Sequence, residues 1–301
     1  MQSTSPLLIE VPELIELLKS PLDKIKNLRI IDGTSFPPLD PRKREEFFEK
    51  SRIPYSQLFN VDKIANTNHH IPHMLPSEEV FISHMKQMDI RKSDSIIIYD
   101  RVSMFGAPRV WYTFYLFGHK NVRILNGGFP LYENEKGELE LNEDYRVKKQ
   151  NEIRDAPLKD DFDYHLDKTK VVDLKGIVKN INNDEIIDAR ASDRYEGKAQ
   201  EPRKSLRVGH VEGAKNIFFK TLLDDKGKFL SNDQIETVFK NKGVDLSKNI
   251  IAYCGTGLTA CIDLFALALL GKVNQCKLYD ESWMEYGNKT EAEIMEIKNS
   301  K

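Results

Sequence analysis

Short apolar runs alternate with amphipathic stretches along this chain, and the second half shows the alternation most clearly. Glu185-Ile186-Ile187-Asp188 is an apolar pair ending in a polar turn, and Lys215-Asn216-Ile217-Phe218-Phe219 is another such run. Ser231 to Lys240 carries Ile235, Val238 and Phe239 on one stripe, which is helical spacing. Asn249 to Tyr253 reads as a buried central strand, Ala260 to Leu270 as the helix after it, and Lys277-Leu278-Tyr279 as a last strand. Strands alternating with helices predict an α/β fold, a parallel sheet with helices on both faces. Such sheets bind ligands beyond the carboxyl ends of their strands.

The pattern occurs twice. Ile30-Ile31-Asp32 answers Ile186-Ile187-Asp188 at an offset of 156 residues. Ile97-Ile98-Tyr99-Asp100 answers Ile251-Ala252-Tyr253-Cys254 at an offset of 154, and Phe117-Gly118 answers Leu270-Gly271 at 153. Arg52-Ile53-Pro54 answers His210-Val211-Glu212. Four landmarks in one order point to duplication, the drift being what loop insertions give. The expected organisation is an N-terminal domain over residues 1–136, a linker over 137–167 and a C-terminal domain over 168–301. The linker is expected because Asn134 to Asp167 is highly charged, with Glu135, Lys136, Glu138, Glu140 and Lys148-Lys149. Arg42-Lys43-Arg44 followed by Glu45-Glu46 predicts a solvated helix, with Asp40 as N-cap and Pro41 at its first position.

Length and composition agree with two globular domains: 301 residues, 40% of them hydrophobic. The formal net charge of −2, with both signs interleaved, argues against a nucleic-acid partner. No apolar run is long enough to span a membrane. Met1 to Pro6 lacks the basic and apolar regions of a secretory signal, and the first basic residue is Lys19. Cytoplasm is the expected location, with mitochondria the alternative.

Three widely spaced cysteines give neither a disulfide framework nor a zinc pattern. Cys254 stands apart from the other two. It follows a strand, precedes a helix, and is succeeded by Gly255-Thr256-Gly257. Backbone N–H groups and the positive end of a helix dipole favour a thiolate, the nucleophilic form of cysteine. Glycines let the loop curl so that several N–H groups can point at one sulfur. Cys261 and Cys276 sit in apolar surroundings and read as structural. The first half has Asp100 in the place of Cys254, so the second half is the chemical one. His69, His70 and His73 invite a metal reading, but no carboxylate or cysteine pattern completes a site, and a polar loop before Pro76 is the simpler reading.

The chain resembles the two-domain sulfurtransferases built from tandem rhodanese domains, over nearly its whole length. The resemblance rests on the doubled unit and on a cysteine in the second half only. It rests also on Asp188-Ala189-Arg190, Arg194-Tyr195-Glu196-Gly197, Glu201-Pro202-Arg203, Gly209-His210-Val211-Glu212-Gly213-Ala214, Leu278-Tyr279-Asp280-Glu281-Ser282-Trp283 and Pro72-His73-Met74-Leu75-Pro76. Within that family, thiosulfate sulfurtransferases place bulky basic residues directly after the cysteine, where a dianion needs positive charge. The 3-mercaptopyruvate sulfurtransferases carry Gly-Ser-Gly, and Gly255-Thr256-Gly257 resembles that pattern with threonine for serine.

The resemblance implies that Cys254 takes the sulfur of 3-mercaptopyruvate as a persulfide, releases pyruvate, and passes the sulfur to a thiol or to cyanide. It implies that Arg194 and Arg203 hold the substrate carboxylate, that Gly255 and Gly257 belong to the substrate-binding loop, and that Asp62, His73 and Thr256 form a proton relay. The site would then lie between the domains. No cofactor and no metal are implied. The expected partners are a small-molecule sulfur donor and a thiol acceptor such as thioredoxin or a small thiol. Leu258 stands where the family usually has valine, and Glu281 where it usually has glycine. Three other functions compete with this one. Thiosulfate sulfurtransferase activity is the first, and a non-enzymatic rhodanese-like scaffold is the second. The third is phosphatase chemistry, which needs an arginine six residues past the cysteine, where this chain has Ala260.

Overall fold

Ile30 and Ile31 lie beside Ile97 and Ile98 at the centre of a five-stranded parallel sheet, which the two strongest apolar runs of the first half build together. The structure is a computed structural model that describes residues 7–141, 146–203 and 206–300. Residues 1–6, read above for a missing leader, lie outside the described residues. The chain forms two compact units. Unit 1 comprises Met1–Asn66, Pro76–Leu166 and Asp225–Lys228; unit 2 comprises Thr67–Leu75, Asp167–Asp224 and Phe229–Lys301.

Unit 1 contains strands β1 (Leu8–Ile9), β2 (Leu28–Asp32), β3 (Ser56–Leu58), β4 (Ser95–Tyr99) and β5 (Val122–Leu125), in the order β1-β5-β4-β2-β3. Unit 2 contains β6 (Val171–Val172), β7 (Glu185–Asp188), β8 (Lys215–Asn216), β9 (Ile250–Tyr253) and β10 (Cys276–Tyr279), in the order β6-β10-β9-β7-β8. The two orders are the same when matched strand for strand. The registers match too: Asp32 pairs with Tyr99 in unit 1, and Asp188 with Tyr253 in unit 2. Duplication is therefore visible in the backbone pairing as well as in the sequence.

After β4 comes helix α1 (Ala107–Leu116), and after β9 the equivalent helix α4 (Ala260–Leu269). Both are buried along nearly their whole length, as apolar segments packed on a sheet must be. Gly118 and Gly271 close them at φ +75 and +72, the left-handed conformation that glycine takes without strain. Between them in sequence lie α2 (Ser192–Tyr195) and α3 (Asn232–Asn241), and α5 (Ser282–Tyr286) follows β10. Ser231 caps α3 in a capping box with Gln234. The core of unit 2 gathers Ile186, Ile251, Tyr253 and Trp283; that of unit 1 gathers Ile30, Ile97, Tyr99 and Phe129.

Two expectations differ from the structure. The segment read as a linker, 137–167, belongs to unit 1 as far as Leu166. Two of its polar residues, Glu140 and Gln150, are buried partners. Glu140 accepts from Nε and Nη2 of buried Arg52 at 3.1 and 2.8 Å. Gln150 accepts from Arg29 at 2.8 Å and donates to the carbonyls of Ile25 and Leu28. Charge along the sequence suggested solvent; paired charge packs inside. The second difference is the helix expected from Asp40 and Pro41, which begins at Arg44. The Asp40 carboxylate is taken up by the backbone and side chain of Arg42, at 3.0 and 2.9 Å, so it caps no helix.

Candidate active site

Cys254 leaves the carboxyl end of β9 and enters a loop that runs to α4. Three backbone features fix the loop. The N–H groups of Cys254 and Gly257 both donate to the Ser282 hydroxyl at 3.1 Å, which itself donates to the Tyr279 carbonyl at 2.8 Å. The amides of Trp283 and Met284 donate to the carbonyls of Cys254 and Gly255 at 3.0 and 3.1 Å. Gly257 has φ +74, which a side chain would strain. α5 thus clamps the cysteine loop from one side. Ser282 itself adopts φ +54, an uncommon conformation for a residue with a side chain and one that lets its hydroxyl serve both amides.

The N–H cradle anticipated around the cysteine is realised in full at the equivalent position of unit 1. There the Asp100 carboxylate accepts from the amides of Val102, Met104, Gly106 and Ala107 at 3.1, 3.1, 2.9 and 2.8 Å. Burial pushes this carboxyl up, and the four N–H bonds oppose that shift. A carboxyl group sits where unit 2 has its thiol. Around Cys254 the amides of Gly255, Thr256 and Leu258 have no protein acceptor among the described residues. The loop therefore leaves three of its donors unmatched.

Positive charge reaches this loop from α2 and the segment after it. A β-carbon built on Gly255 would lie 3.4 Å from Nη2 of Arg194. Arg194 Nε donates to Glu201 Oε1 at 3.2 Å, and its Nη2 donates to Glu201 Oε2. Arg203 is half-buried. Burial and the neighbouring Arg194 lower the proton affinity of its guanidinium, while Cys254 and Glu201 act to raise it. Arg190 lies deeper, bonded to Asp188, to Glu201 and to the Gly209 carbonyl, with its guanidinium 4.4 Å from the Trp283 ring centroid. Burial opposes its charge, but Asp188, Tyr253 and Glu201 together outweigh that and raise its proton affinity.

Cys254, Gly255, Arg194 and Arg203 are thus brought together in unit 2. Thr256 is buried in the same loop. His73 lies in a segment counted with unit 2, at φ +69, two residues before Leu75, whose amide donates to Asp280 at 2.7 Å. Asp62 lies in unit 1, where its carboxylate pairs with Arg44 at 2.5 Å. His69 and His70 stack on each other with centroids 4.7 Å apart. Among the described residues no group of three or more His, Cys, Asp or Glu is placed to hold a metal. His210 stacks on Tyr195 and shares a hydrogen bond with its carbonyl at 2.8 Å. Cys261 donates to the Gly257 carbonyl at 3.2 Å, and burial pushes the Cys276 thiol up to about 12.

Three residues of the site escaped the sequence reading. Ser282 and Glu201 were visible only as members of motifs. Asp263 was visible as the lone charge in the apolar stretch 261–270. It is fully buried in the first turn of α4, and neither carboxyl oxygen has a hydrogen-bond partner among the described residues. Burial, and then the charges of Cys254 and Asp188, push its carboxyl well above the usual range. Glu281, the departure noted above, is half-buried; burial raises its carboxyl too, with Asp280 and Glu285 adding to the shift.

A doubled α/β unit whose second copy alone carries a cysteine on such a loop defines a tandem rhodanese-type protein. A model of the rhodanese-like domain matches residues 16–135 and again 171–289. The 3-mercaptopyruvate sulfurtransferase of Mus musculus is 30% identical over 283 residues, covering 93% of this chain and 91% of the relative. The thiosulfate sulfurtransferase of Gallus gallus is 32% identical over 263 residues, covering 86% of each. The crystal structure of Tum1 from Saccharomyces cerevisiae superposes with a TM-score of 0.79 at 29% identity, over 95% of this chain and 96% of that one. The chain belongs to the tandem rhodanese-domain sulfurtransferases, the family that includes the 3-mercaptopyruvate sulfurtransferases. The fold and family expected from the sequence are both borne out. No helix among the described residues is long and apolar enough to cross a membrane.

Proposed function

We propose that this chain transfers sulfur from 3-mercaptopyruvate through a persulfide on Cys254. The Cys254 thiolate attacks the donor's sulfur, an S–S bond forms and the carbon–sulfur bond breaks. The electron pair stays on carbon as the pyruvate enolate, which takes up the proton given up by the donor thiol. A second thiol, or cyanide, then removes the outer sulfur and restores the thiolate, so the kinetics are ping-pong. Thr256 and His73 would carry the proton, with Asp62 orienting the imidazole. Thioredoxin or a small thiol is the acceptor class this chemistry needs. A reducing compartment such as the cytoplasm suits three cysteines that are all free thiols.

The observation that carries the choice of donor is the neutral loop under two guanidinium groups. Residues 255–257 supply no positive charge, while Arg194 reaches Gly255 and Arg203 feels the charge of Cys254. Two planar forks suit a carboxylate. A dianion such as thiosulfate would lack a cation next to the sulfur. The amides of Gly255, Thr256 and Leu258 are the donors available to a sulfur carried outside the cysteine. The test is mass spectrometry of wild type and Cys254→Ser after exposure to each donor, alongside steady-state rates. A persulfide on Cys254 and a preference for mercaptopyruvate, both lost in the variant, are expected. Preference for thiosulfate would overturn the choice of donor. A wild type that gains no sulfur from either donor would favour a binding scaffold.

A further inference from the structure

Glu201 places a carboxylate among the guanidinium groups that a carboxylate donor would use. Its side chain is 3% exposed. Oε1 accepts from Arg190 Nη1 at 2.8 Å and from Arg194 Nε at 3.2 Å, and Oε2 accepts from Arg194 Nη2. Arg190 is already matched by Asp188, which accepts from both its Nε and its Nη2. The charges left facing the loop are those of Arg194 and Arg203, against one negative charge on Glu201. Glu201 occupies the Nε–Nη2 edge of Arg194. The Nη1 group is left without a partner among the described residues, and Nη2 stays over Gly255.

We propose that Glu201 is a specificity-determining positioning residue: it holds Arg194 by one edge so that the other edge meets the donor, and its charge cancels one of the two guanidinium charges. Counting Arg194, Arg203 and Glu201, a monoanionic donor then meets a net charge of one; the Cys254 thiolate adds the same negative charge for either donor and leaves the comparison unchanged. A dianion meets the same single charge and carries its second one unmatched into a partly buried site. The inference rests on Cys254 as the nucleophile and on the two arginines as the donor's anchors. It goes beyond them by assigning the discrimination between donors to an acid outside the cysteine loop.

The experiment compares kcat/KM for thiosulfate and for 3-mercaptopyruvate in wild type, Glu201→Gln and Glu201→Asp. Glutamine keeps the shape and removes the charge. One added positive charge within a few ångströms of the donor raises the thiosulfate-to-mercaptopyruvate ratio by about tenfold or more. Aspartate keeps the charge, so it lowers both rates and leaves the ratio at the wild-type value. Equal loss for both donors in Glu201→Gln would make Glu201 a structural support only and would overturn the proposal. If Glu201→Gln does not fold, wild type is titrated with pyruvate, a monoanion, and oxalate, a dianion, as inhibitors against mercaptopyruvate. Affinities within about tenfold of each other fit a net single charge, whereas a preference of about a hundredfold for oxalate contradicts it. Failure of wild type to form a persulfide at Cys254 is a separate result, which removes the underlying reading and the proposal with it.

Discussion

Replacing Asp263 by asparagine is expected to stabilise unit 2 by an amount that grows with pH. Asp263 is fully buried, neither carboxyl oxygen has a hydrogen-bond partner among the described residues, and burial holds its carboxyl well above the ordinary carboxylate range. In the unfolded chain the group is exposed and ionises near 3.8. Above that pH the native state holds a proton that the unfolded state has released. The stability this group contributes is therefore complete below 3.8 and is lost as the pH rises toward the folded value. The slope is about 1.4 kcal/mol for each pH unit over which the buried carboxyl keeps its proton. Asparagine has no such dependence. Its amide also lacks partners, but that cost is independent of pH and shifts the curve without tilting it.

The assay is urea unfolding of the full chain at half-unit pH steps through the acidic and neutral range. Of the two tryptophans, Trp111 lies in unit 1 and Trp283 in unit 2, both buried. A Trp111→Phe background leaves Trp283 as the reporter of unit 2, which avoids treating a two-unit chain as one transition. Titrating groups that do not interact with Asp263 are common to the two proteins and cancel in the difference; Cys254 and Asp188, whose charges act on Asp263, are the exceptions. The stability of the asparagine variant minus that of the parent should climb along the stated slope. A difference that stays flat across the range would refute the reasoning. It would mean that Asp263 is ionised in the fold with a partner, or that the unfolded chain keeps it equally buried.

Two further outcomes follow from the cysteine loop. Exchanging Gly255 and Thr256 for arginine and lysine should raise the thiosulfate-to-mercaptopyruvate rate ratio by about tenfold or more, because cations would then stand beside the sulfur; an unmoved ratio, read in paired steady-state assays, would count against the account of the neutral loop. Ser282→Ala removes the common acceptor of the Cys254 and Gly257 amides and should cost about 1–3 kcal/mol in unfolding experiments. Alkylation of Cys254 by iodoacetamide should change rate in the same variant, and an unchanged rate would show that the loop holds its shape without the hydroxyl.

What the sequence disclosed and what it hid differ in physical kind. Apolar periodicity is written residue by residue, so the pairing of Ile30 with Ile97 and of Ile186 with Ile251 was legible from short runs of isoleucine. The equivalence of Asp100 and Cys254 was legible for the same reason, because each follows a tyrosine in the same register. Polar partnerships are a property of pairs, and their members stand far apart. Ser282 serves an amide 28 residues upstream, and Gln150 satisfies a guanidinium 121 residues away. Nothing local distinguishes such a glutamine from a solvated one, which is why residues 137–167 looked like a linker. Glu201 is closer, 7 residues from Arg194, but its effect depends on which edge of the fork it takes.

Asp100 shows how far comparison of the halves can still reach. A carboxylate in the cysteine's place looked, on the sequence, like the loss of a nucleophile. In the fold four amides close upon it, so the loop of unit 1 is shaped around a buried acceptor. At the same position unit 2 carries Cys254, and there the amides of Gly255, Thr256 and Leu258 have no protein acceptor among the described residues. The two halves thus share one loop position, closed by amides on Asp100 in unit 1 and left with unmatched amides beside Cys254 in sequence in unit 2.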